Sequence, residues 1–312
     1  MTVLATLWRW GWSLIVLVGG LAIILGYFGS QHPALDSLAH FRAHLVVLVG
    51  VAALVRLVSG RGAGRWLALV VLGLCIYSGA GAAHYMLPDT SIRLTAGKTY
   101  TLLQFNAAQN WQRASTLLTD LKPDFAALQE TPMPQGRRLV ELMEVYPHVA
   151  TCSGRSRWAD TVLLSKYPFS GEPICGNSSA FVRATVILEN KALTLASHHL
   201  SWPWPYGQSE DISLNVGSLR AITGSRIIAG DFNAAPWSLA VRRTASLTQT
   251  VPTTGIGPTW LLRGVELAYR PYVGLPIDNI LTAGVAIAQV QRLDDAGSDH
   301  LPVLMRFAFE DY

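Results

Sequence analysis

The first ninety residues contain no lysine, and their charged side chains are five arginines and two aspartates. So little charge cannot keep long runs of Leu, Val, Ile, Gly and Ala in water, which excludes an ordinary soluble domain for that third of the chain. Cysteine is scarce too: three in 312 residues, with no metal-finger spacing, so nothing points to zinc. Cys75 lies inside an apolar run, as a small buried hydrophobe does. Cys152 and Cys175 stand 23 positions apart. Pairing them needs an oxidising compartment and suitable geometry, so the expectation leans to two free thiols. A basic excess is also missing from the second part. Residues 91–312 carry 19 Lys plus Arg against 18 Asp plus Glu, so the formal +4 comes mostly from the apolar third. A sequence-independent nucleic-acid binder shows such an excess.

What is present comes first as three apolar stretches, Trp12 to Phe28, Leu45 to Val58 and Trp66 to Tyr85. A membrane-crossing helix needs about 20 residues, with about 17 as the lower limit. The first and third reach that length, and the second does so if it begins near Phe41 and takes Arg42 and His44 at its edge. A cleaved signal peptide competes for the first stretch, but two more spans follow and no small-residue cleavage site precedes Gln31. The expectation is a membrane anchor over residues 1–90, with helices at about 10–28, 41–59 and 65–86, ahead of a second domain over 91–312. Arg56, Arg61 and Arg65 crowd the turn between the second and third stretches, and Arg9 precedes the first. Positive-inside bias puts that turn and the N-terminus in the cytoplasm. The third helix then delivers the second domain to the periplasm or exterior, as a multi-pass protein of the inner (cell) membrane. Trp8, Trp10, Trp12, Trp66 and Tyr85 sit near the ends of these stretches, as interfacial aromatics do. No charge falls mid-span, so the helices read as an anchor and not as a transport path.

After Pro88 the pattern changes to short apolar runs alternating with helical spacing. Thr99 to Phe105, Phe125 to Leu128, Thr161 to Leu164, Phe181 to Leu188, Leu193 to Ser197, Ile227 to Gly230, Pro276 to Leu281 and Leu301 to Phe307 read as strands. Helices are expected near 114–121, 139–146 and 212–223. Strand after strand ends in a polar residue: Asn106, Glu130, His199, Asp231, Asp299-His300. Sites in layered α/β domains gather at strand ends, where loops present side chains from a rigid frame.

Each residue alone has an ordinary structural explanation. Asn106 and Asn233 suit turns, Glu130 suits a loop, and His198 and His199 read as one buried and one exposed histidine. Together they suggest metal-assisted hydrolysis. Glu130 and Asp299 are hard oxygen ligands suited to Mg²⁺ or Mn²⁺. Asp231 and Asn233, two apart on an extended backbone, share a face and can orient a water and donate to a phosphoryl oxygen. His300 can meet Asp278 on a neighbouring strand, which fixes its tautomer.

Six motifs carry a resemblance. They are Gln104-Phe105-Asn106, Leu128-Gln129-Glu130-Thr131, Ser197-His198-His199-Leu200, Gly230-Asp231-Phe232-Asn233, Pro276-Ile277-Asp278-Asn279-Ile280-Leu281 and Ser298-Asp299-His300-Leu301-Pro302-Val303. Residues about 99–309 resemble the endonuclease/exonuclease/phosphatase superfamily, the metal-dependent phosphoesterases related to DNase I. Ala159 to Pro168 is similar to the family's loosely kept middle strand. The resemblance implies a four-layer α/β sandwich, two packed mixed sheets flanked by helices, preceded here by the three transmembrane helices. It implies Glu130 as the main metal ligand with Asn106 beside it, and Asp299 helping to hold that metal or a second one. Asp231 would activate the attacking water, and Asn233 would stabilise the pentavalent phosphoryl group. His300, oriented by Asp278, would contact the phosphate, and His199, chosen over His198 because Leu200 follows it, would donate to a phosphate oxygen. Arg183 is a further candidate, equally readable as a strand arginine. Some relatives place an acid two residues after the Asn, where this chain has Ala108; that departure favours one Mg²⁺.

The implied activity is that of a membrane-anchored phosphoric ester hydrolase acting on phosphodiester or phosphomonoester bonds. Its partner is a phosphate-ester substrate, either nucleic acid or a lipid head group or other envelope phospho-compound. The missing basic excess and the short linker from Pro88 to Thr99 favour substrates in or near the bilayer. Trp202, Trp204 and Tyr206, directly after His199, suit base or sugar stacking, lipid contact or simple packing; Trp237 is open to the same readings. The competing hypothesis is a catalytically silent, membrane-anchored scaffold.

Overall fold

The computed structural model describes residues 3–59, 62–89, 91–93, 97–132, 136–153, 160–177, 180–262 and 264–310. Arg61 of the arginine-rich turn, Thr90 at the expected domain boundary and Ala159 of the middle-strand match lie outside the described residues. The chain divides into two compact units: residues 1–86 with Trp237–Leu239, and residues 87–236 with 240–312.

In the first unit, α1 (Val3–Leu25), α3 (Arg42–Ser59) and α4 (Ala63–Met86) are long and apolar enough to cross a membrane. They pack through small and branched residues, including Val16, Ile23, Val49, Ala52, Ala53, Ala68 and Val71. A side chain at Gly19 would collide with Val49, so the glycine lets α1 and α3 approach closely. Between α1 and α3 lies a short helix, α2 (Pro33–His40), where the sequence reading had only a linker. Its start is built locally. The His32 side chain accepts from the Ala34 amide, Pro33 opens the helix, and Asp36 lies in its first turn.

The second unit runs β1 (Tyr100–Asn106), α5 (Trp111–Leu121), β2 (Phe125–Gln129), α6 (Arg137–Val145), β3 (His148–Ser153), β4 (Asp160–Ser165), β5 (Ile174–Cys175), β6 (Ala180–Leu188) and β7 (Lys191–His199). It continues with α7 (Gln208–Leu214), α8 (Val216–Arg220), β8 (Ser225–Asp231), α9 (Leu239–Thr248), β9 (Val251–Pro252), a 3₁₀ turn (Leu267–Tyr269), α10 (Arg270–Val273), β10 (Asp278–Ala283), β11 (Val285–Arg292) and β12 (Val303–Phe309). One sheet has the order β11-β12-β1-β2-β4-β3, the other β5-β6-β7-β8-β10-β9. Each contains one parallel pair, β1 with β2 and β7 with β8; the other pairings are antiparallel.

Strand alternation sorts the apolar residues into three layers of contact. Tyr100, Leu102, Phe125, Ala127, Leu195, Ile227, Ala229, Ile280 and Met305 meet between the sheets. Leu103, Phe105, Ala126 and Leu128 face the other way, with Ala114 and Leu118 of α5 and Leu142 of α6. Ala196, Ile228 and Leu281 cluster with Ile212 of α7, Leu219 of α8 and Val241 of α9. The result is helix, sheet, sheet, helix: the four-layer sandwich expected from the motifs.

Two features differ from the sequence reading. The helix expected over 212–223 is two short ones broken at Asn215, whose buried amide bonds the Asp211 carbonyl and the Asn177 backbone. And Cys152 and Cys175 form a disulfide, with Cα atoms 5.7 Å apart, linking edge strand β3 of one sheet to edge strand β5 of the other.

Candidate active site

The parity that builds the core also builds the site. On the face between the sheets, the series Tyr100, Leu102 in β1 continues as Gln104 and Asn106, and Phe125, Ala127 in β2 continues as Gln129. Leu193 and Leu195 in β7 lead to Ser197 and His199; Ile227 and Ala229 in β8 lead to Asp231. The pairings Asn106 with Gln129, His199 with Asp231 and Asp231 with Asp278 bring these positions to one end of the sandwich. Ser298 to His300, just before β12, reach the same end: Ser298 Oγ donates to the Asn106 carbonyl at 2.8 Å.

Asp231 is the hub, with 1% of its surface exposed. Its Oδ2 accepts from Asn106 Nδ2 at 3.0 Å and lies 3.6 Å from both His199 Nε2 and His300 Nε2. Its Oδ1 accepts from the Asn233 backbone amide at 2.8 Å. Asn106 Nδ2 also donates to Glu130 Oε1 at 3.1 Å, which stands 3.8 Å from His199 Nε2. His300 Nδ1 is 2.8 Å from Asp278 Oδ2. Behind this layer, Gln104 Nε2 donates to Asp278 Oδ1 and Gln129 Oε1, and Gln129 Nε2 donates to Ser197 Oγ.

These contacts set the charges. Burial pulls the His300 imidazolium toward neutrality, but Asp278 and Asp231 beside it, with the hydrogen bond to Asp278, outweigh that and push its pKa up to about 9. Burial raises the Asp231 carboxyl to about 6, against the pull of the neighbouring histidines. Burial lowers His199, partly offset by Asp231.

His198 is a core residue. It points to the opposite face of β7, wedged edge-on between the Phe181 and Phe232 rings at 5.1 and 5.5 Å, and burial drops its pKa to about 3. Arg183 has the parity of Phe181, on the face turned away from His199. Trp237 is buried and Trp202 is half in contact: its ring meets Trp260 edge-on at 5.1 Å, and Trp260 bridges to His300. Trp204 and Tyr206 are exposed.

The relation between Asp231 and Asn233 is not that of two residues on one strand. The strand ends at Asp231, and Asn233 is left-handed (φ 47°), its amide donating to the Leu200 carbonyl at 2.8 Å. Asn and Asp tolerate that conformation because the side chain bonds locally. Glu130 is left-handed as well (φ 47°), which swings its carboxylate off the end of β2. Such backbone is kept where surrounding structure holds it.

Among the described residues, two groups bring three potential ligand atoms within 4.8 Å of one another: Glu130 with His199 and Asp231, and Asp231 with Asp278 and His300. Only the first contains a carboxylate partly open to solvent, that of Glu130, as entry of a hard divalent cation requires. In the second, His300 is cationic and already bonded to Asp278, so it has no lone pair to give. In the first, Glu130 is partly open to solvent, with 24% of its side chain exposed, and His199 is neutral. Asn106 turns its NH₂ toward both carboxylates while its Oδ1 accepts from the Ala108 amide, so it aims the ligands. Asp299 joins neither group among the described residues; its Oδ1 lies 3.5 Å from Ser298 Oγ. The sequence reading quoted Gln104, Gln129, Ser197 and Ser298 within its motifs but gave them no role. Their signal was present, since each is a polar residue at or beside an inward-facing strand end in an otherwise apolar run.

Two mixed sheets with acids, amides and histidines gathered at one end define a phosphoesterase fold of the DNase I type. A family model described as the Endonuclease/Exonuclease/phosphatase family matches residues 103–300, and this chain belongs to that family. The fold is similar to an endonuclease/exonuclease/phosphatase from Beutenbergia cavernae DSM 12333, at 18% identity and TM-score 0.53, over 68% of this chain and 72% of that one. It is similar to another from Bacteroides vulgatus, at 16% identity and TM-score 0.51, over 69% of this chain and 100% of that one. The human Nocturnin catalytic domain, solved with a bound sulfate anion, aligns at 15% identity and TM-score 0.51, over 68% and 94%. No curated protein matches the sequence significantly.

Proposed function

We propose that this protein is a membrane-anchored, divalent-metal-dependent phosphoesterase that hydrolyses phosphodiester or phosphomonoester bonds by attack of water. The observation that carries the reading is the convergence of Asn106, His199 and His300 on the buried Asp231 carboxylate, with Glu130 on the open side. Phosphoester hydrolysis builds negative charge on the non-bridging and leaving oxygens, and groups fixed in advance against those oxygens stabilise it. His300, kept cationic and oriented by Asp278, donates from Nε2 to a phosphoryl oxygen. His199, kept neutral by burial, donates its single ring N–H to another, and Asn233 braces the pentavalent phosphoryl group. Asp231 orients the attacking water and takes its proton, a role that its raised pKa suits. Glu130 would be the principal holder of the cation, its carboxylate steered by Asn106, and Asp299 would be the second expected holder. Mg²⁺ or Mn²⁺ bound there supplies Lewis-acid stabilisation of charge on the phosphate.

The substrate is a phosphoester in or near the bilayer, such as a lipid head group or a phosphorylated envelope precursor. Two features support this: the nearly neutral charge of residues 91–312, and the short tether, since α4 ends at Met86 and the Asp89 amide already bonds the Gly255 carbonyl. The catalytic unit faces the periplasm or exterior, a reading supported by the disulfide, which persists in oxidising compartments.

The test is Mg²⁺-dependent hydrolysis of bis-p-nitrophenyl phosphate by the full chain in detergent. Asp231→Ala is expected to lower turnover by on the order of 10²–10³. Absence of turnover with both Mg²⁺ and Mn²⁺ favours a silent scaffold. A panel of DNA, RNA, sphingomyelin-like lipid and phosphomonoesters then reads the substrate, and preference for DNA or RNA overturns the membrane-proximal assignment.

A further inference from the structure

The first unit contains a cavity of about 580 Å³, a volume in the range of ligand sites, where the start of α1, the end of α3 and the start of α4 meet. Arg9, Ser13 and Arg56 form its polar wall. Arg56 is 7% exposed. Its Nε donates to Ser13 Oγ at 2.7 Å, and Ser13 in turn donates to the Arg9 carbonyl. Its Nη1 is buried with no hydrogen-bond partner. A guanidinium held between helices with a donor unmet is costly unless an anion completes it. No carboxylate lines the cavity among the described residues. Of the two aspartates in the first ninety residues, Asp36 belongs to α2 and Asp89 follows α4. Gly64 opens α4 against the same guanidinium, where a larger side chain would displace it, and the amides of that helix start add positive potential.

The opposite wall is apolar. Trp10, Leu14 and Leu17 line the cavity and are exposed along the outward face of α1, so the cavity opens onto the surface that a bilayer would cover.

We propose that this cavity binds an anionic phospholipid, its phosphate on Arg56 and Arg9 and its acyl chain along Trp10, Leu14 and Leu17. The charge selects an anion, and the apolar wall selects a lipid over free phosphate. A zwitterionic lipid brings an ammonium that no carboxylate among the described residues of the cavity pairs. The site lies at the end of α4 remote from Met86, and its occupancy is independent of phosphoester hydrolysis. Basic pockets between membrane helices hold anionic head groups by the same logic.

The experiment uses the full chain, delipidated in mild detergent and titrated with phosphatidylglycerol, with phosphatidylcholine of the same chains, and with inorganic phosphate. Native mass spectrometry counts bound lipid, and the melting temperature is followed in parallel. Phosphatidylglycerol is expected to be retained and to raise Tm saturably, phosphatidylcholine to bind about tenfold more weakly or less, and phosphate to have no effect. Arg56→Gln and Arg9→Gln are each expected to weaken phosphatidylglycerol binding about tenfold or more. Arg9 is only half-buried, so Arg9→Gln carries the test if Arg56→Gln does not fold. Four results overturn the proposal: no lipid bound by the native sequence, equal binding of the two lipids, a phosphate effect matching the lipid's, or unchanged phosphatidylglycerol binding in every variant that folds.

Discussion

At the scale of single residues, the telling group is Asp278. It is fully buried, and its two oxygens are divided between Gln104 and His300. Its charge is a main reason that His300 stays cationic to about pH 9 in spite of burial. The folded-state pKa of His300 lies above its ordinary value, so the stabilisation it brings is complete below about pH 6.5 and is lost as pH rises through about 9. A reaction that needs the imidazolium has its alkaline limb in the same place. Asp278→Asn keeps the shape and removes the charge; the limb of the kcat profile is expected to fall from about 9 toward 6.5. A limb that stays near 9 in the variant would mean that another group titrates there. The polar residues at strand ends were legible because each interrupts an apolar run. The layer behind them interrupts the same runs, but its role was not legible. Gln104 and Gln129 look like ordinary strand polar residues until parity places both between the sheets. In the triplet that precedes β12, Ser298 donates to the Asn106 carbonyl, His300 stands against Asp231, and the Asp299 charge acts on His300.

At the scale of elements, the parallel pair β7 and β8 positions His199 against Asp231, and Gly230 makes their approach possible. A Cβ at residue 230 would strike the His198 backbone carbonyl. A backbone atom cannot swing aside as a side-chain tip can, so Gly230→Ala forces the strands apart. The expected cost is about 1–3 kcal/mol or more, measured by chemical denaturation, with loss of turnover. A variant as stable and active as the parent would contradict that account of the glycine. The glycine is thus set by strand spacing, while the residue after it is set by chemistry. Elements with strong period-two or helical patterns were foreseen in the sequence. β3, β11 and α9 were not, since His148–Ser153, Val285–Arg292 and Leu239–Thr248 mix polar and small residues and take their structure from their neighbours. α2 escaped notice for another reason: its eight residues lie between two far stronger apolar signals.

At the scale of the molecule, Cys152–Cys175 ties one sheet to the other at their edges. Sequence spacing could not foretell it, because the two strands meet only once the sheets have stacked. A loop of this length closed by a disulfide contributes on the order of 3 kcal/mol. Reduction, or Cys152→Ser with Cys175→Ser, is expected to lower the melting temperature of the second unit by several degrees while leaving Asp231 and its partners in place. Thiol alkylation of protein taken directly from cells is expected to label neither cysteine before reduction; labelling of both would place this unit in a reducing compartment.

The order of strands has one more outcome. β1 lies between β2 and β12, with Tyr100 opposite Phe307, so the first strand made waits beside an empty slot for the last. Asn106 and Glu130 emerge early, whereas His300 arrives just ahead of the strand that fills the slot. The cluster around Asp231 is therefore complete only once β12 has docked beside β1, and whatever chemistry depends on it waits for that step.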